Sequence, residues 1–343
     1  MRPFFQFSLK VITVAVIIVM NGCHQKQKEI TTESVRAMFG EFEPGQLIKL
    51  RPVDVTGTPV YRRIEHHPDQ YSYLNDVEIF SLIYDSDGLM VTGLLVKPKA
   101  VHENTPVIVY NRGGNQEMGR LLVEHAVEIF APLAAEGFIV AASNYRGNSG
   151  SEGQEQFGGE DVNDVLNLIE AVGQIPEADI SRVGMLGLSR GGMMTYLALK
   201  NDSEKRIKAV ANLGGITDLA YTIEHHPEIG EVCEWLIPDY TGNEKKELEK
   251  RSAIKWVDQL PTDVPILILH GTADQSVDYG QIPVFTECLT NYGIPHKAVI
   301  YQGDNHGCVA HRQEVMTNLK EWFKSTMIDQ VPYTEFEFTM VED

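Results

Sequence analysis

Val183-Gly-Met-Leu-Gly-Leu-Ser-Arg-Gly-Gly-Met-Met194 sets one serine among glycines directly after a short apolar run. Gly187 lies two residues before Ser189, and Gly191 and Gly192 follow just after it. An ordinary turn needs one glycine for a positive φ, not three around a hydroxyl. The pattern fits a serine on a tight bend from strand to helix, with glycines removing the side chains that would collide there. Glycine and serine are common residues, so the motif alone is weak and its surroundings decide its meaning.

Outward from this segment, short apolar strands alternate with helical stretches. Strands are expected over residues 106–110, 138–143, 182–186, 208–213, 265–270 and 297–301. Residues 77–84 and 89–96 flank Asp85-Ser-Asp-Gly88 and read as a hairpin. In the helix expected over Asp161–Val172, Val162, Val165, Leu166, Ile169 and Val172 share one face. A hairpin followed by repeated β-α units implies an α/β fold. Its sheet is mostly parallel, with an antiparallel N-terminal hairpin and helices on both faces. In such sheets the reactive groups sit beyond the carboxyl ends of the strands, where Ser189 falls.

A serine hydroxyl is too weakly acidic to attack unaided and needs a base, usually histidine, oriented by a carboxylate. Gly271-Thr-Ala-Asp274 follows the strand at 265–270, and Gly303-Asp-Asn-His306-Gly307 follows the strand at 297–301. Ser189, Asp274 and His306 thus occur in the chain order of the α/β-hydrolase fold, each on a loop after a strand. Plainer readings remain for each. Ser189 could mark a structural turn, Asp274 a helix N-cap with Asp304 as the acid, and His306 a loop histidine.

Four stretches carry a family resemblance: Asn144-Tyr-Arg-Gly147, Gly187-Leu-Ser-Arg-Gly-Gly192, Leu269-His-Gly-Thr-Ala-Asp274 and Asp304-Asn-His-Gly307. From about Asp76 to Met327 the chain resembles the catalytic domain of the prolyl oligopeptidase family (peptidase S9). The resemblance implies Ser189 as nucleophile, Asp274 as orienting acid and His306 as base. Prolyl or dipeptidyl specificity does not carry over, because the family's peptidases usually bear a β-propeller and only a short extension precedes Asp76 here. Some members place a tyrosine before a Gly-Gly pair in the oxyanion hole, whereas Arg112 precedes Gly113-Gly114 here. The expected oxyanion donors are the backbone N–H of Arg190, at a helix N-terminus, and that of Gly113, with the Arg112 side chain as the alternative.

Composition narrows the partners. The chain has 343 residues, 43% of them hydrophobic, which suffices for one sizeable core. A net charge of −19 with no basic cluster argues against binding to nucleic acid. Arg146 reads as a structural ion-pairing residue, and Asp161 and Asp164 as favouring the dipole of their helix. Ile-Glu-His-His-Pro occurs at 64–68 and again at 223–227, yet no further ligand motif accompanies either copy. No metal or cofactor is expected.

At the N-terminus, Arg2 and Lys10 precede an apolar run over residues 11–20, followed by Asn21-Gly22-Cys23. The run is too short to span a bilayer but suits a signal-peptide core. A small residue before cysteine resembles the bacterial lipoprotein signal, in which Cys23 becomes lipidated; secretion with a free Cys23 and an uncleaved anchor are the alternatives. Residues 1–22 are therefore expected to be a signal peptide. Residues 23–75 read as a tether, a short amphipathic helix ending near Gly40, and irregular structure. Residues 76–343 read as the hydrolase domain, with an insertion near 217–252 over the active site. In that insertion His225, His226, Trp235, Leu236 and Tyr240 are candidates for substrate selection. Cys233, Cys288 and Cys308 remain, and both a Cys288–Cys308 disulfide and unpaired buried thiols are open. The expectation is a cell-envelope lipoprotein that cleaves a peptide amide or a small ester through an acyl-enzyme. Alternatives are a carboxylesterase acting on acylated glycans or small esters, and a binding protein on a hydrolase fold.

Overall fold

Alternation along the strands decides which side chains meet which helices. In the computed structural model, which describes residues 30–100 and 103–342, ten strands form one sheet in the order β1-β2-β3-β5-β4-β6-β7-β8-β9-β10. The strands are β1 (Ile48–Pro52), β2 (Val77–Ser86), β3 (Leu89–Pro98), β4 (Thr105–Asn111), β5 (Ile139–Ser143), β6 (Ala178–Leu188), β7 (Ile207–Leu213), β8 (Ile266–Gly271), β9 (His296–Tyr301) and β10 (Phe336–Val341). β1, β2, β3 and β5 pair antiparallel in turn, and every pairing from β5 through β10 is parallel. Cys23 and the apolar run before it lie outside the described residues.

The parallel strands inside the sheet, β4 to β8, are largely apolar on both faces, as a sheet covered on both sides requires. On one face Val107, Val109, Val183, Met185, Ile266 and Ile268 pack beneath the helices Asp161–Val172, Arg190–Asn201 and Gln281–Asn291. On the other, Ile108, Tyr110, Val140, Leu186, Leu267 and Leu269 meet the helical run 123–134 and the helix Arg312–Phe323. This separation also settles the thiols. Cys288 packs with the first cluster and Cys308 with the second, and all three described cysteines are free.

Two strands went unread in the sequence. β1 lies in the segment expected to be irregular, where it extends the hairpin; its Ile-Lys-Leu-Arg-Pro alternation is short and ends in a proline that only an edge strand tolerates. β10 closes the other edge with three exposed apolar residues, Phe336, Phe338 and Met340. The short helix Thr32–Phe39 ends at Gly40 and packs Val35 against Ile83 and Met90.

The chain order reverses at β4, with β5 on one side and β6 on the other. The loops after β4, β5 and β6 therefore converge at the carboxyl edge of the sheet, where sheets of this kind carry their reactive groups. The loop after β5 is pinned by Arg146, which is 3% exposed. Asp164, wholly buried, accepts from the Arg146 N–H at 2.8 Å, Nε at 3.1 Å and an Nη at 2.9 Å, and from Ser86 Oγ at 2.6 Å. Asp164 is thus an ion-pair anchor and not only a complement to the helix dipole. Replacing it with alanine would leave a buried guanidinium short of its partner, so Asp164→Ala should lower the unfolding free energy by about 3–5 kcal/mol. Urea denaturation checks this, and an unchanged midpoint would contradict the anchoring role.

Candidate active site

β6 ends at Leu188 and the next helix starts at Arg190, so Ser189 alone makes the bend. Its φ of 57° and ψ of −124° form a backbone that a non-glycine residue holds only under constraint. Hydrogen bonds supply the constraint. The Ser189 N–H donates to Leu213 O at 3.0 Å, and its carbonyl accepts from the N–H groups of Gly192 and Ile216. The three neighbouring glycines are absent from the positive-φ positions; they mark close approaches instead. A Cβ at position 191 would sit 1.8 Å from Asn111 O, one at 187 would sit 2.3 Å from Asn212 Oδ1, and one at 192 would sit 2.6 Å from Gly215 Cα. Glycine lets the helix start directly on the ends of β4 and β7, and the serine bears the strain.

The loops after β8 and β9 bring Asp274 and His306 together. His306 Nδ1 donates to Asp274 Oδ2 at 2.7 Å, which fixes the tautomer with Nε2 free to accept. Asp274 is not a mere N-cap, although its Oδ1 does accept from the N–H groups of Ser276 and Val277. Asp304 takes no part in this pair: it accepts from His311 Nδ1 at 2.8 Å and from three backbone N–H groups. Gly214, at φ 56°, lies against the imidazole, and a Cβ there would stand 2.9 Å from His306 Nδ1. Among the described residues no hydrogen bond joins Ser189 to His306, a contact that often closes only with substrate bound. Burial works against the charge of Asp274, but hydrogen bonds from His270 and His306 outweigh it and hold the carboxyl well below its usual range.

The loop after β4 borders the serine. A Cβ at Gly113 would lie 3.0 Å from both Leu188 O and Ser189 Cβ, so this backbone runs past the elbow with no room for a side chain. Its N–H and that of Arg190 are free of main-chain partners among the described residues. The Arg112 side chain, expected as an alternative donor, is turned away. All its N–H groups go to carbonyl oxygens: those of Asn144, Gly113, Gln116 and Met118, at 2.9–3.2 Å. A guanidinium with every donor occupied by a buried loop is a scaffold and has none left for an oxyanion.

A model of the prolyl oligopeptidase family matches residues 125–330, more than half of the chain. This chain belongs to the prolyl oligopeptidase family. It is 28% identical over 250 residues to YtmA of Bacillus subtilis, an uncharacterized peptidase, covering 73% of this chain and 94% of that protein. To dipeptidyl-peptidase 5 of Porphyromonas gingivalis it is 26% identical, over 64% of this chain but only 33% of that one. Among solved structures, the acylaminoacyl peptidase of Pyrococcus horikoshii matches with a TM-score of 0.62 at 23% identity, covering 81% of this chain and 45% of that one. A puromycin-hydrolyzing peptidase of Mycobacterium tuberculosis matches at 0.60 and 21%, over 79% and 41% respectively. These neighbours establish the α/β-hydrolase fold, and membership of the family makes the chain a serine hydrolase.

Within this family member some expectations about site residues need correction. Leu236 and Tyr240 of the insertion are core residues, each 9% exposed: the helix Glu228–Leu236 turns Leu236 inward, and Tyr240, just beyond it, packs into the same cluster. Trp235 faces solvent. His225 stacks on Tyr221 with ring centroids 4.2 Å apart, and His226 lies 3.6 Å from Glu228. Asp161, read as a dipole partner, is buried against Arg190. Two further residues had not been singled out. His270 Nε2 lies 2.9 Å from Val277 O and 3.1 Å from Asp274 Oδ2; two acceptors at that distance require a hydrogen on Nε2, shared between the carbonyl and the carboxylate, and the run Leu269-His-Gly contained this residue unread. Glu155 is buried beside Arg190 and had no local signal at all.

The sign of the Asp274 shift has a kinetic consequence. A folded-state pKa below the usual carboxylate value of about 3.9 keeps the charge, and the stability it contributes, until pH falls beneath that value. Asp274 therefore stays ionised at every pH above the usual carboxylate value. A log kcat/KM profile followed down to about pH 4 should show no step from this carboxylate. A carboxylate step at or above that pH would contradict the hydrogen-bonded geometry of Asp274.

Proposed function

We propose that this chain is a serine peptidase in which Ser189, His306 and Asp274 form the catalytic triad. His306 Nε2 takes the proton of Ser189 Oγ as the oxygen adds to a peptide carbonyl. The N–H groups of Arg190 and Gly113 receive the developing oxyanion, where the first turn of the helix adds its dipole. The imidazolium, held by Asp274, returns the proton to the leaving amine, and water then releases the acyl group by the reverse steps. The observation that carries this reading is the 2.7 Å bond from His306 to Asp274, on loops at the same end of the sheet as a serine held at φ 57°. Peptide amides are favoured over other acyl compounds because the relatives named above are peptidases. Among the described residues no group of His, Cys, Asp or Glu is placed to hold a metal ion.

A fluorophosphonate probe should label Ser189 far faster than any other serine. Ser189→Ala should abolish labelling and lower turnover on peptide substrates by about three orders of magnitude or more, since triad members act as a unit. His306→Ala should cost a similar amount, and the double variant little more. Folded protein that takes no label at Ser189 would overturn the hydrolase mechanism.

We propose further that Cys23 is lipidated and tethers the domain to the cell envelope. The support is the Asn21-Gly-Cys23 junction behind the apolar run, together with the helix Thr32–Phe39 that docks the following segment on the domain. Among the described residues no helix is long and apolar enough to cross a membrane. The protein should partition into the detergent phase, and Cys23→Ala should shift it to the aqueous phase. Full recovery of the unaltered protein in the aqueous phase would refute the anchor.

A further inference from the structure

We infer that Glu155 is a positioning residue that locks the two halves of the oxyanion hole to each other. The inference rests on the hydrolase mechanism above, in which Arg190 and Gly113 supply the donors. Those donors come from separate segments, the elbow helix and the loop after β4, and a third segment spans them. Glu155, on the loop after β5, is 7% exposed. One of its carboxylate oxygens accepts from the Arg190 guanidinium; the other accepts from the Gln116 N–H at 2.7 Å and from Asn148 Nδ2 at 3.0 Å. Arg190 completes the clasp by donating to Gly114 O at 3.0 Å.

The loop needs such a clasp because of how its polar groups divide. Arg112 gathers the carbonyls of Gly113, Gln116 and Met118, which leaves the Gln116 N–H to find an acceptor of its own. Gln116 stands at φ 48°, which a non-glycine residue seldom adopts, so this turn is not held by backbone preference alone. A carboxylate reaching Gln116 and Arg190 together sets the spacing between loop and elbow helix. Donors in an oxyanion hole act through preorganisation, so loosening that spacing raises the barrier without weakening ground-state binding.

Glu155→Gln keeps an acceptor for the Gln116 N–H but loses the charge that holds Arg190. It should lower kcat on a peptide substrate about 10- to 100-fold, less than or equal to the loss of one whole donor, with KM changed less than about threefold. The inhibition constant of a peptidyl trifluoromethyl ketone, whose hemiketal oxygen occupies the hole, should weaken in proportion to the fall in kcat/KM. A purely structural residue would move the melting temperature without that proportionality. Glu155→Gln protein that melts with the parent and keeps its kcat, or loses only KM, overturns the inference. Should it fail to fold, Asn148→Ala removes one bond to the same carboxylate and should lower kcat about two- to fivefold by the same loosening; an unchanged kcat there is equally fatal. Ser189→Ala in the same assay separates the two ideas. If it keeps its activity the hydrolase mechanism fails; if it is inactive while the Glu155 and Asn148 variants keep their kcat, only the role of Glu155 fails.

Discussion

A buried guanidinium organises the reactive end of this molecule. Arg190 is 2% exposed and follows the candidate nucleophile directly. Its charge is met by the carboxylates of Glu155 and Asp161, with Asp161 at 2.5 Å, and by the rings of Tyr145 and Phe157 at 5.1 and 4.6 Å. Removing three charges from water carries a large desolvation penalty, which mutual attraction offsets only when geometry is fixed and donors are paired. That requirement is what ties four segments together: the elbow, the loop after β4, the loop after β5 and the start of the helix Asp161–Val172. A hydrophobic residue in place of Arg190 could fill the space but could not dictate register among loops.

The elbow illustrates how strain and space divide among residues. Ser189 holds a conformation that costs on the order of 1–3 kcal/mol, and its hydrogen bonds to β7 and to the turn beyond it keep that conformation in place. The flanking glycines relieve a different problem, the approach of backbone to backbone at the ends of β4 and β7. Both features serve a single end, a hydroxyl raised above the sheet edge beside backbone N–H groups.

Asp274 shows the same economy in the loop after β8. One oxygen shapes its own turn through Ser276 and Val277, while the other faces His306 and His270. The loop geometry and the orientation of the imidazole thus depend on one carboxylate. Asp304, thirty residues on in the chain, builds the loop of His306 from beneath by holding His311 and the backbone.

What the sequence determined alone was periodic or strictly local. Eight strands, the helix over 161–172 and the serine elbow announced themselves, because burial on both faces imposes apolar runs and a tight bend imposes glycine. The loops carrying Asp274 and His306 were legible for a related reason, since each directly follows such a run. β1 and β10 escaped notice because edge strands are half exposed and need little apolar patterning. Only the tertiary structure could assign Arg112 to scaffolding, give the pairing of His306 to Asp274 over Asp304, or bring Glu155 and Asp161 to Arg190. These choices rest on which carbonyls and charges meet once loops from distant strands converge, and a buried charge takes whatever partner the assembled fold brings within reach. Sequence separation holds no record of that: Glu155 and Arg190 are joined by charge attraction and a hydrogen bond in the buried interior, not by any spacing along the chain.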